Sequence, residues 1–374
     1  QMKVKDITKS LQEWAPLPFQ ESYDNSGLIV GDQEMPIKGC LISLDLTESV
    51  IEEALENQCN MIISHHPIVF KGVKKLSGNH WVNRCLIKAI KNDLAIYAIH
   101  TNLDNVMHGV NGMIAHRLKL THRQVLRPMA RTLYKLVTFV PIEHKSKILS
   151  ALHQAGAGHI GNYKECSYNV TGEGIFKPAA GANPTLGSLD KLESVKESRI
   201  EMILPRHKKD IVLSALRSAH PYEEVAYYLT SLENNQGNLG AGLIGQLLNP
   251  MPIIDFLDHL KSSMDLKHIR HTPLIGKTVE KIAVCGGSGG FLLNDACALG
   301  ADIFISSDFK YHDFFEADGR ITIAVIGHYE SEVFTKQLLC DFLNEKFTNI
   351  AVRLSEVNTN PIRVIHICGS IFSK

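Results

Sequence analysis

Hydrophobic and polar positions along the first third of the chain fall into two alternating patterns. Short apolar runs at residues 40–46, 61–64 and 94–99 predict strands, because each run is bounded by polar or turn-forming residues. Between them, apolar residues at helical spacing predict helices at residues 48–57 and 82–92. Strands that alternate with helices indicate a largely parallel α/β sheet covered by helices on both faces.

The pattern changes near residue 129. The predicted order of strand, helix, strand, helix and strand is found at residues 133–140, 143–156, 199–204, 208–219 and 224–232. Residues 171–188 are rich in glycine and contain proline, so they predict a loop and not a core element. This order is typical of a ferredoxin-like unit and predicts an inserted α+β domain at residues 130–235.

The α/β pattern resumes from residue 236. Predicted strands lie at residues 281–285, 302–306, 321–326 and 362–367, and predicted helices at 253–264, 291–299, 311–317 and 330–345. The glycine run 286–290 predicts a tight turn, because it lacks the lysine of a Walker loop and the spacing of a dinucleotide fingerprint. The predicted protein is α/β, with a layered α/β/α core formed by residues 1–129 and 236–374.

Composition narrows the class of protein. Apolar residues make up 44% and charged residues 21% of the 374 positions, which is ordinary for a globular protein. Lys and Arg total 39, as do Asp and Glu, so the net charge disfavours nucleic acid and anionic membranes as partners. The eight cysteines contain no C-x-x-C pair, which indicates free thiols. With no signal-peptide or membrane-span pattern, a cytoplasmic location is expected.

Two adjacent histidines follow the strand predicted at residues 61–64. Successive side chains of a strand point to opposite faces, so His65 and His66 can converge only where the strand ends and the chain bends. Pro67 supplies that break, because proline cannot donate to the strand ladder. Such a pair suits a metal ion, although adjacent histidines also occur on ordinary surfaces.

Two further strand ends carry the same kinds of side chain. His328 and Glu332 follow residues 321–326 and share one helix face, because they are four residues apart. Asp104 lies in a polar loop after residues 94–99, a position where aspartate otherwise forms turns. The carboxyl ends of parallel strands share one edge of a sheet, so these residues are expected to meet the histidine pair.

Three imidazoles and two carboxylates together form a ligand set for two divalent metal ions. Mixed nitrogen and oxygen ligands suit zinc, iron, manganese, cobalt or nickel. Glu332 is expected to bridge the two ions, because a carboxylate has two oxygens to share. Such ions activate a bound water and polarise a carbonyl or phosphoryl oxygen, which is the chemistry of hydrolysis.

Further polar residues lie near strand ends. His100 and His312 are the candidate catalytic residues, expected to carry protons or contact substrate. Asp45 has the chemistry to orient a ligand, and Lys310 could hold an anionic substrate. The alternative for the segment 308–312 is a structural role, in which Asp308 caps the helix that follows.

The chain resembles the Nif-three-like family, often named GTP cyclohydrolase I type 2 homologues, over nearly its whole length. The motifs that carry the resemblance are Asp24-Asn25-Ser26-Gly27-Leu28, Ser64-His65-His66-Pro67, His100-Thr101-Asn102-Leu103-Asp104, Ser306-Ser307-Asp308-Phe309-Lys310-Tyr311-His312 and Gly327-His328-Tyr329-Glu330-Ser331-Glu332. The chain departs from the family pattern at Tyr23, Ser26 and Ser306-Ser307, which neighbour the proposed ligands without replacing them.

The resemblance implies a dinuclear metal site with His65, His66, Asp104, His328 and Glu332 as ligands. It also implies a toroidal homohexamer, and the insert resembles the extra domain of longer bacterial members. The first functional hypothesis is a metal-dependent hydrolase of a small, nucleotide-like substrate whose identity the sequence does not specify. The alternative is a protein without enzymatic activity that stores, delivers or senses metal.

Overall fold

The computed structural model of the protein describes residues 1–365. The chain forms two compact units, one of Gln1–Arg127 with the chain from Asn238 onward, and one of Pro128–Gly237. We call these the core unit and the insert. Among the described residues, no helix has both the length and the apolar character that crossing a membrane requires.

The elements of the described residues are numbered in chain order. The strands are β1 Gly27–Val30, β2 Gly39–Ser43, β3 Met61–Ser64, β4 Ala95–Ala98, β5 Thr121–Pro128, β6 Leu133–Pro141, β7 Tyr168–Phe176, β8 Glu193–Pro205, β9 Tyr227–Ser231, β10 Gly240–Pro252, β11 Arg270–His271, β12 Thr278–Ser288, β13 Ile303–Ser307, β14 Thr322–Val325 and β15 Ala351–Leu354. The α-helices are α1 Val4–Trp14, α2 Glu48–Glu56, α3 Trp81–Lys91, α4 Thr101–Asp104, α5 Val110–Arg117, α6 Lys145–Gln154, α7 Lys209–Ala219, α8 Ile253–Ser263, α9 Leu293–Ala298, α10 His328–Glu332 and α11 Thr335–Lys346. Short 3₁₀ helices lie at Leu17–Phe19, Ile142–His144, Arg206–Lys208, Gly290–Leu292 and Tyr311–Ala317.

The first sheet of the core unit has the strand order β1-β4-β3-β2-β15. Strands β2, β3, β4 and β15 run parallel, and β1 runs antiparallel to β4 at one edge. Ser64 is in register with both Ser43 and Ala98, so the three central strands end level with one another. The loops that follow them therefore begin at the same edge of the sheet.

The second sheet has the order β11-β14-β13-β12-β10-β5. Strands β12, β13 and β14 are parallel, with β11 antiparallel to β14 and β10 antiparallel to β12. One apolar cluster includes Tyr97 of the first sheet, Ile305 of the second sheet and Phe256 of α8, all buried. The two sheets therefore pack against each other through one shared hydrophobic core.

The insert has the chain order strand, helix, strand, strand, helix, strand, from β6 to β9. Its sheet has the order β7-β8-β6-β9, and each neighbouring pair is antiparallel. Helices α6 and α7 bury Ile148, Leu152, Val212 and Leu216 in the apolar cluster of this unit. The apolar spacing of both helices therefore matches the face that each buries.

Several sequence predictions are corrected by the fold. The single, largely parallel sheet is wrong, because the core unit contains two mixed sheets. Residues 171–188 are not wholly a loop, since β7 extends to Phe176 as an exposed edge strand whose pairing with β8 local composition did not reveal. The helix predicted at 330–345 is divided into α10 and α11.

The residues after α11 also differ from the prediction. Within residues 1–365 the last strand is β15, which pairs with β2, whereas residues 362–365 have no regular secondary structure. The remainder of the strand predicted at 362–367 lies outside the described residues. The sequence prediction also omitted β10, whose thirteen residues include three glycines and two prolines that obscure the apolar pattern.

Candidate metal centre

Each proposed metal ligand follows a strand of the core unit. His65 and His66 come directly after β3, and Asp104 ends the short helix α4 that follows β4. His328 and Glu332 are the first and last residues of α10, which follows β14 of the second sheet. The site is therefore assembled from the carboxyl ends of strands in two sheets, and not from one edge of one sheet.

The five side chains converge. Glu332 Oε2 lies 2.9 Å from His66 Nε2 and 3.1 Å from His328 Nε2. Glu332 Oε1 lies 3.7 Å from His65 Nε2, which is in turn 3.6 Å from Asp104 Oδ1. Among the described residues, three groups could each hold a metal ion, because in each group the candidate ligand atoms lie within 4.8 Å of one another. Glu332 belongs to two of them, one with His66 and His328 and one with His65 and Asp104.

The Nδ1 atom of each of the three cluster imidazoles is held by another group. His65 Nδ1 lies 2.8 Å from the carbonyl oxygen of Ile99. His66 Nδ1 lies 2.7 Å from Asp45 Oδ1, and His328 Nδ1 lies 2.5 Å from Asp308 Oδ2. When Nδ1–H donates to such an acceptor, the neutral imidazole carries its proton on Nδ1 and keeps a lone pair on Nε2. This is the tautomer that binds a metal ion through Nε2.

Two ionisable side chains of the cluster are buried, which is unusual for residues with a purely structural role. His65 is fully buried, and Glu332 is only 2% exposed. Within residues 1–365, the buried atoms His65 Nε2 and Asp104 Oδ1 have no hydrogen-bond partner. A buried polar atom without a partner is costly, and a shared cation would satisfy a nitrogen lone pair and a carboxylate oxygen together.

The charges of the cluster are strongly interdependent. Burial opposes the charged form of His328, but hydrogen bonds to Asp308 and Glu332 outweigh it and raise its pKa to about 10. The same competition, with Asp45 and Glu332 as partners, raises the pKa of His66 to about 9. Burial raises the pKa of Asp104, and the nearby charge of Glu332 adds to the effect. Without metal, protons on the imidazoles thus balance the buried carboxylate.

A glycine allows Glu332 to approach the second sheet closely. Gly287 near the end of β12 has φ of +63°, and a Cβ on it would lie 2.4 Å from Glu332 Oε1. A side chain at this position would therefore be strained and would also displace the carboxylate. The tight turn predicted at residues 286–290 is wrong, because residues 286–288 end β12 and Gly290 begins a 3₁₀ helix. Gly287 instead leaves space for the carboxylate of Glu332.

The two candidate catalytic histidines lie in different surroundings. His100 lies beside the cluster, with ring centroids 5.2 Å from His65 and 5.3 Å from His66, and its Nδ1 is 2.8 Å from Asp24 Oδ1. His312 is exposed on the 3₁₀ helix Tyr311–Ala317 and does not line the cavity at the cluster.

The sequence analysis gave no role to Asp24 and only that of a helix cap to Asp308, whereas Lys310 is the N-cap of the following 3₁₀ helix. Asp24 also accepts hydrogen bonds from the backbone N–H and the hydroxyl of Thr101, so it holds the loop that bears His100. Asp308 has φ of +58° and holds the ring of His328. Both residues lie in the motifs that carry the family resemblance, which was the available signal.

The cluster opens into a cavity of about 400 Å³. The lining includes the aromatic side chains Tyr23, Phe70, Trp81 and Phe291, together with His66, His100, His328 and Glu332. A cavity of this size accommodates a small molecule, and mostly apolar walls with a few polar groups are typical of ligand sites.

We expect the carboxylates behind the ligands to affect metal affinity. Asp45→Asn and Asp308→Asn should each weaken metal binding about 10- to 100-fold, because the imidazole loses the negatively charged acceptor that supports its orientation and basicity. Competition with a chromogenic chelator measures the affinity. Asp341→Asn is the matched control, since Asp341 accepts a hydrogen bond only from the exposed Gln337 among the described residues. Equal affinity in all three variants would contradict the assignment.

The fold and the site define a class of protein, a two-unit α/β chain with a buried histidine–carboxylate cluster able to hold metal. A family model for Duf34/NIF3 (NGG1p interacting factor 3) matches residues 2–361, and the chain belongs to this family. The resemblance inferred from the motifs is thereby confirmed.

Individual relatives agree with this assignment. The chain is 38% identical over 365 residues to a GTP cyclohydrolase 1 type 2 homolog of Halalkalibacterium halodurans, with 96% of this chain and 98% of the relative covered. It is 35% identical over 362 residues to the homolog of Bacillus subtilis, with 96% and 97% covered. A solved structure of a Bacillus cereus protein related to NIF3 matches with a TM-score of 0.84 and 36% identity, covering 97% of this chain and 99% of that one.

Proposed function

We propose that the cluster binds two divalent metal ions. His65 and Asp104 would hold one ion, His66 and His328 the other, and Glu332 would contribute one oxygen to each. The division is supported by the two carboxylate oxygens of Glu332, which face different sets of ligand atoms. The donor set suits zinc, iron or manganese, and cellular supply decides among such metals.

We infer that the protein is a metal-dependent hydrolase of a small, nucleotide-like substrate. The observation that carries this inference is the opening of the ligand cluster into a cavity with aromatic walls. Bound metal ions would lower the pKa of a water and polarise a carbonyl or phosphoryl oxygen. The exposed rings of Tyr23, Phe70 and Phe291 offer flat surfaces on which a planar base could stack.

His100 is the residue best placed to move a proton. Its Nδ1 faces Asp24, which leaves Nε2 free on the side of the cavity. A histidine oriented by a carboxylate can take a proton from a nucleophile and return it to a leaving group. His100 also lies close enough to His65 and His66 to act as a metal ligand, so its role needs a direct test.

We expect His100→Gln to separate these two roles. Glutamine keeps a polar group near Asp24 but cannot act as a general base, so hydrolysis should fall about 100- to 10,000-fold with metal content unchanged. The assay is a screen of nucleotides, phosphoesters and amides with metal-loaded protein. Loss of metal together with activity would instead make His100 a ligand. His312→Ala is the control and should keep both properties.

The screen also decides between the two functional hypotheses. If the metal-loaded protein hydrolyses none of these substrate classes while binding metal stoichiometrically, the hydrolase proposal fails. Storage, delivery or sensing of metal would then be the better description. GTP belongs in the screen because relatives bear the name GTP cyclohydrolase 1 type 2 homolog, although no residue in the cavity identifies a guanine pocket.

We infer that residues 130–235 form a ferredoxin-like domain. The chain order of the insert and its antiparallel sheet support this inference.

We propose from the family resemblance that the protein forms a homohexamer. Light scattering that gives a mass of six times 41.6 kDa would support this proposal. The cytoplasmic location stays a prediction.

A further inference from the structure

The insert contains a cavity of its own, with a volume of about 690 Å³. All of its lining residues lie between residues 139 and 226, so the cavity belongs to the insert alone. Its walls are largely apolar and include Phe139, Val170, Ile175, Phe176 and Leu186. Volume and composition both fall in the range of small-molecule sites.

A buried carboxylate faces this cavity. Glu197 of β8 is only 8% exposed, and Tyr222 donates a hydrogen bond of 2.9 Å to its Oε1. Its Oε2 accepts no hydrogen bond and forms no ion pair among residues 1–365. A largely buried carboxylate that leaves one oxygen without a partner in the described part of the chain is the natural anchor for a ligand that carries a donor.

The neighbouring glycine keeps the carboxylate accessible. A Cβ on Gly174 of the adjacent strand β7 would lie 2.2 Å from Glu197 Oε2. Any side chain at this position would therefore displace or cover the oxygen. The backbone of Gly174 does not adopt a positive φ, so another residue would not be strained there. The glycine matters because its missing side chain leaves space for Glu197 Oε2.

Hydrogen bonds fasten one wall of the cavity to another. The hydroxyl of Thr185 donates to the carbonyl of Pro221 over 2.7 Å, and the backbone N–H of Asn183 donates to Glu223 over 2.8 Å. These contacts tie the segment after β7 to the turn that carries Tyr222. Two segments of the cavity wall are thus joined by hydrogen bonds within the insert.

The charges around the cavity favour a cation. Its lining contains the carboxylates of Glu173, Glu197, Glu223 and Glu224 and the cations of Lys177 and Arg199. Arg199 is paired with Glu201 at 2.6 Å, which leaves less positive charge for a ligand. An excess of carboxylates within an apolar enclosure attracts a positively charged group and repels an anion.

The geometry points to a binding site for a small organic cation in the insert, an amine or amidine carried on a flat apolar body. The charged N–H group would donate to Glu197 Oε2. The flat body would lie against Phe139, Phe176 and Tyr222. This site is separate from the metal centre, uses none of its residues and does not depend on the proposed hydrolase activity.

The probe for this site is p-aminobenzamidine, titrated into the full chain and followed by its fluorescence and by calorimetry. Benzamide and benzoate serve as the neutral and anionic analogues. Saturable binding of the amidine, with benzamide at least about tenfold weaker and benzoate inactive, is the expected result. Binding should be the same in His65→Ala, which alters only the metal centre.

Three variants locate the probe. Glu197→Gln keeps an acceptor for Tyr222 but removes the charge, and should weaken binding roughly 10- to 100-fold. Gly174→Ala should also weaken binding by crowding Oε2 without changing any charge. Glu224→Gln is the control, because it removes the same charge from an exposed residue of the lining, and should change affinity less than about threefold.

Four outcomes would overturn the inference. They are no saturable binding at millimolar probe, equal binding of benzoate or benzamide, equal losses in Glu197→Gln and Glu224→Gln, and loss of binding in His65→Ala. Circular dichroism of each variant shows whether a loss reflects unfolding. If Glu197→Gln does not fold, Gly174→Ala and the three-ligand series still decide the question.

Discussion

Purified protein incubated with zinc, manganese or iron and then freed of excess metal is expected to retain about two ions per chain, and His65→Ala to lose at least one of them. His65 is fully buried, and within residues 1–365 its Nε2 has no hydrogen-bond partner. The substitution therefore removes a nitrogen atom that no group of the described residues satisfies and that is free to bind a metal ion. Elemental analysis by mass spectrometry measures the result.

A matched control makes this experiment specific. His312→Ala removes an exposed imidazole that lies outside the cavity and should leave the metal content unchanged. Absence of stoichiometric metal from the wild-type protein, with all three metals offered, would defeat the central proposal. The cluster would then be a network of protonated imidazoles around the buried Glu332.

Metal should also stabilise the fold strongly. An ion that binds only the folded chain adds about 4 kcal/mol when its free concentration is 1,000 times Kd. For a unit of this size, that corresponds to a rise in Tm on the order of 10 °C. The rise is expected because the ligands come from loops after both sheets, so the ion links elements that are distant in the chain. Differential scanning calorimetry with and without chelator measures it.

Glu332→Gln tests whether the shared carboxylate is responsible. The substitution preserves the shape of the side chain but removes the charge that two cations would share, so most of the metal-dependent rise in Tm should disappear. His312→Ala should show the full rise. An equal rise in Glu332→Gln and wild type would mean that the stabilising metal binds elsewhere.

Much of the local structure was predictable because it follows from short-range patterns. The strand at residues 61–64 coincides with β3, and Thr47 caps α2 by accepting a hydrogen bond from the N–H of Val50, since apolar runs and capping residues act over a few positions. Strand β10 and edge strand β7 were not recognised, because their pairing partners, not their own composition, make them strands.

The sequence by itself determined which residues carry the chemistry of the candidate site. Imidazoles and carboxylates at the ends of apolar runs indicate a metal site wherever those runs are placed, and all five proposed ligands meet in the structure. The prediction that these five side chains meet rested on one assumption, that the ends of their strands lie close together.

Only the tertiary structure decided how they meet. The packing of two sheets places Glu332 against His66 across 266 residues of sequence and brings Asp45 and Asp308 into hydrogen bonds with the imidazoles of His66 and His328. Within the insert, the pairing of β7 with β8 and the turn that carries Tyr222 bring Gly174 and Tyr222 against Glu197, a juxtaposition that no short motif specifies. Such contacts depend on close packing between elements distant in sequence, which local patterns do not encode.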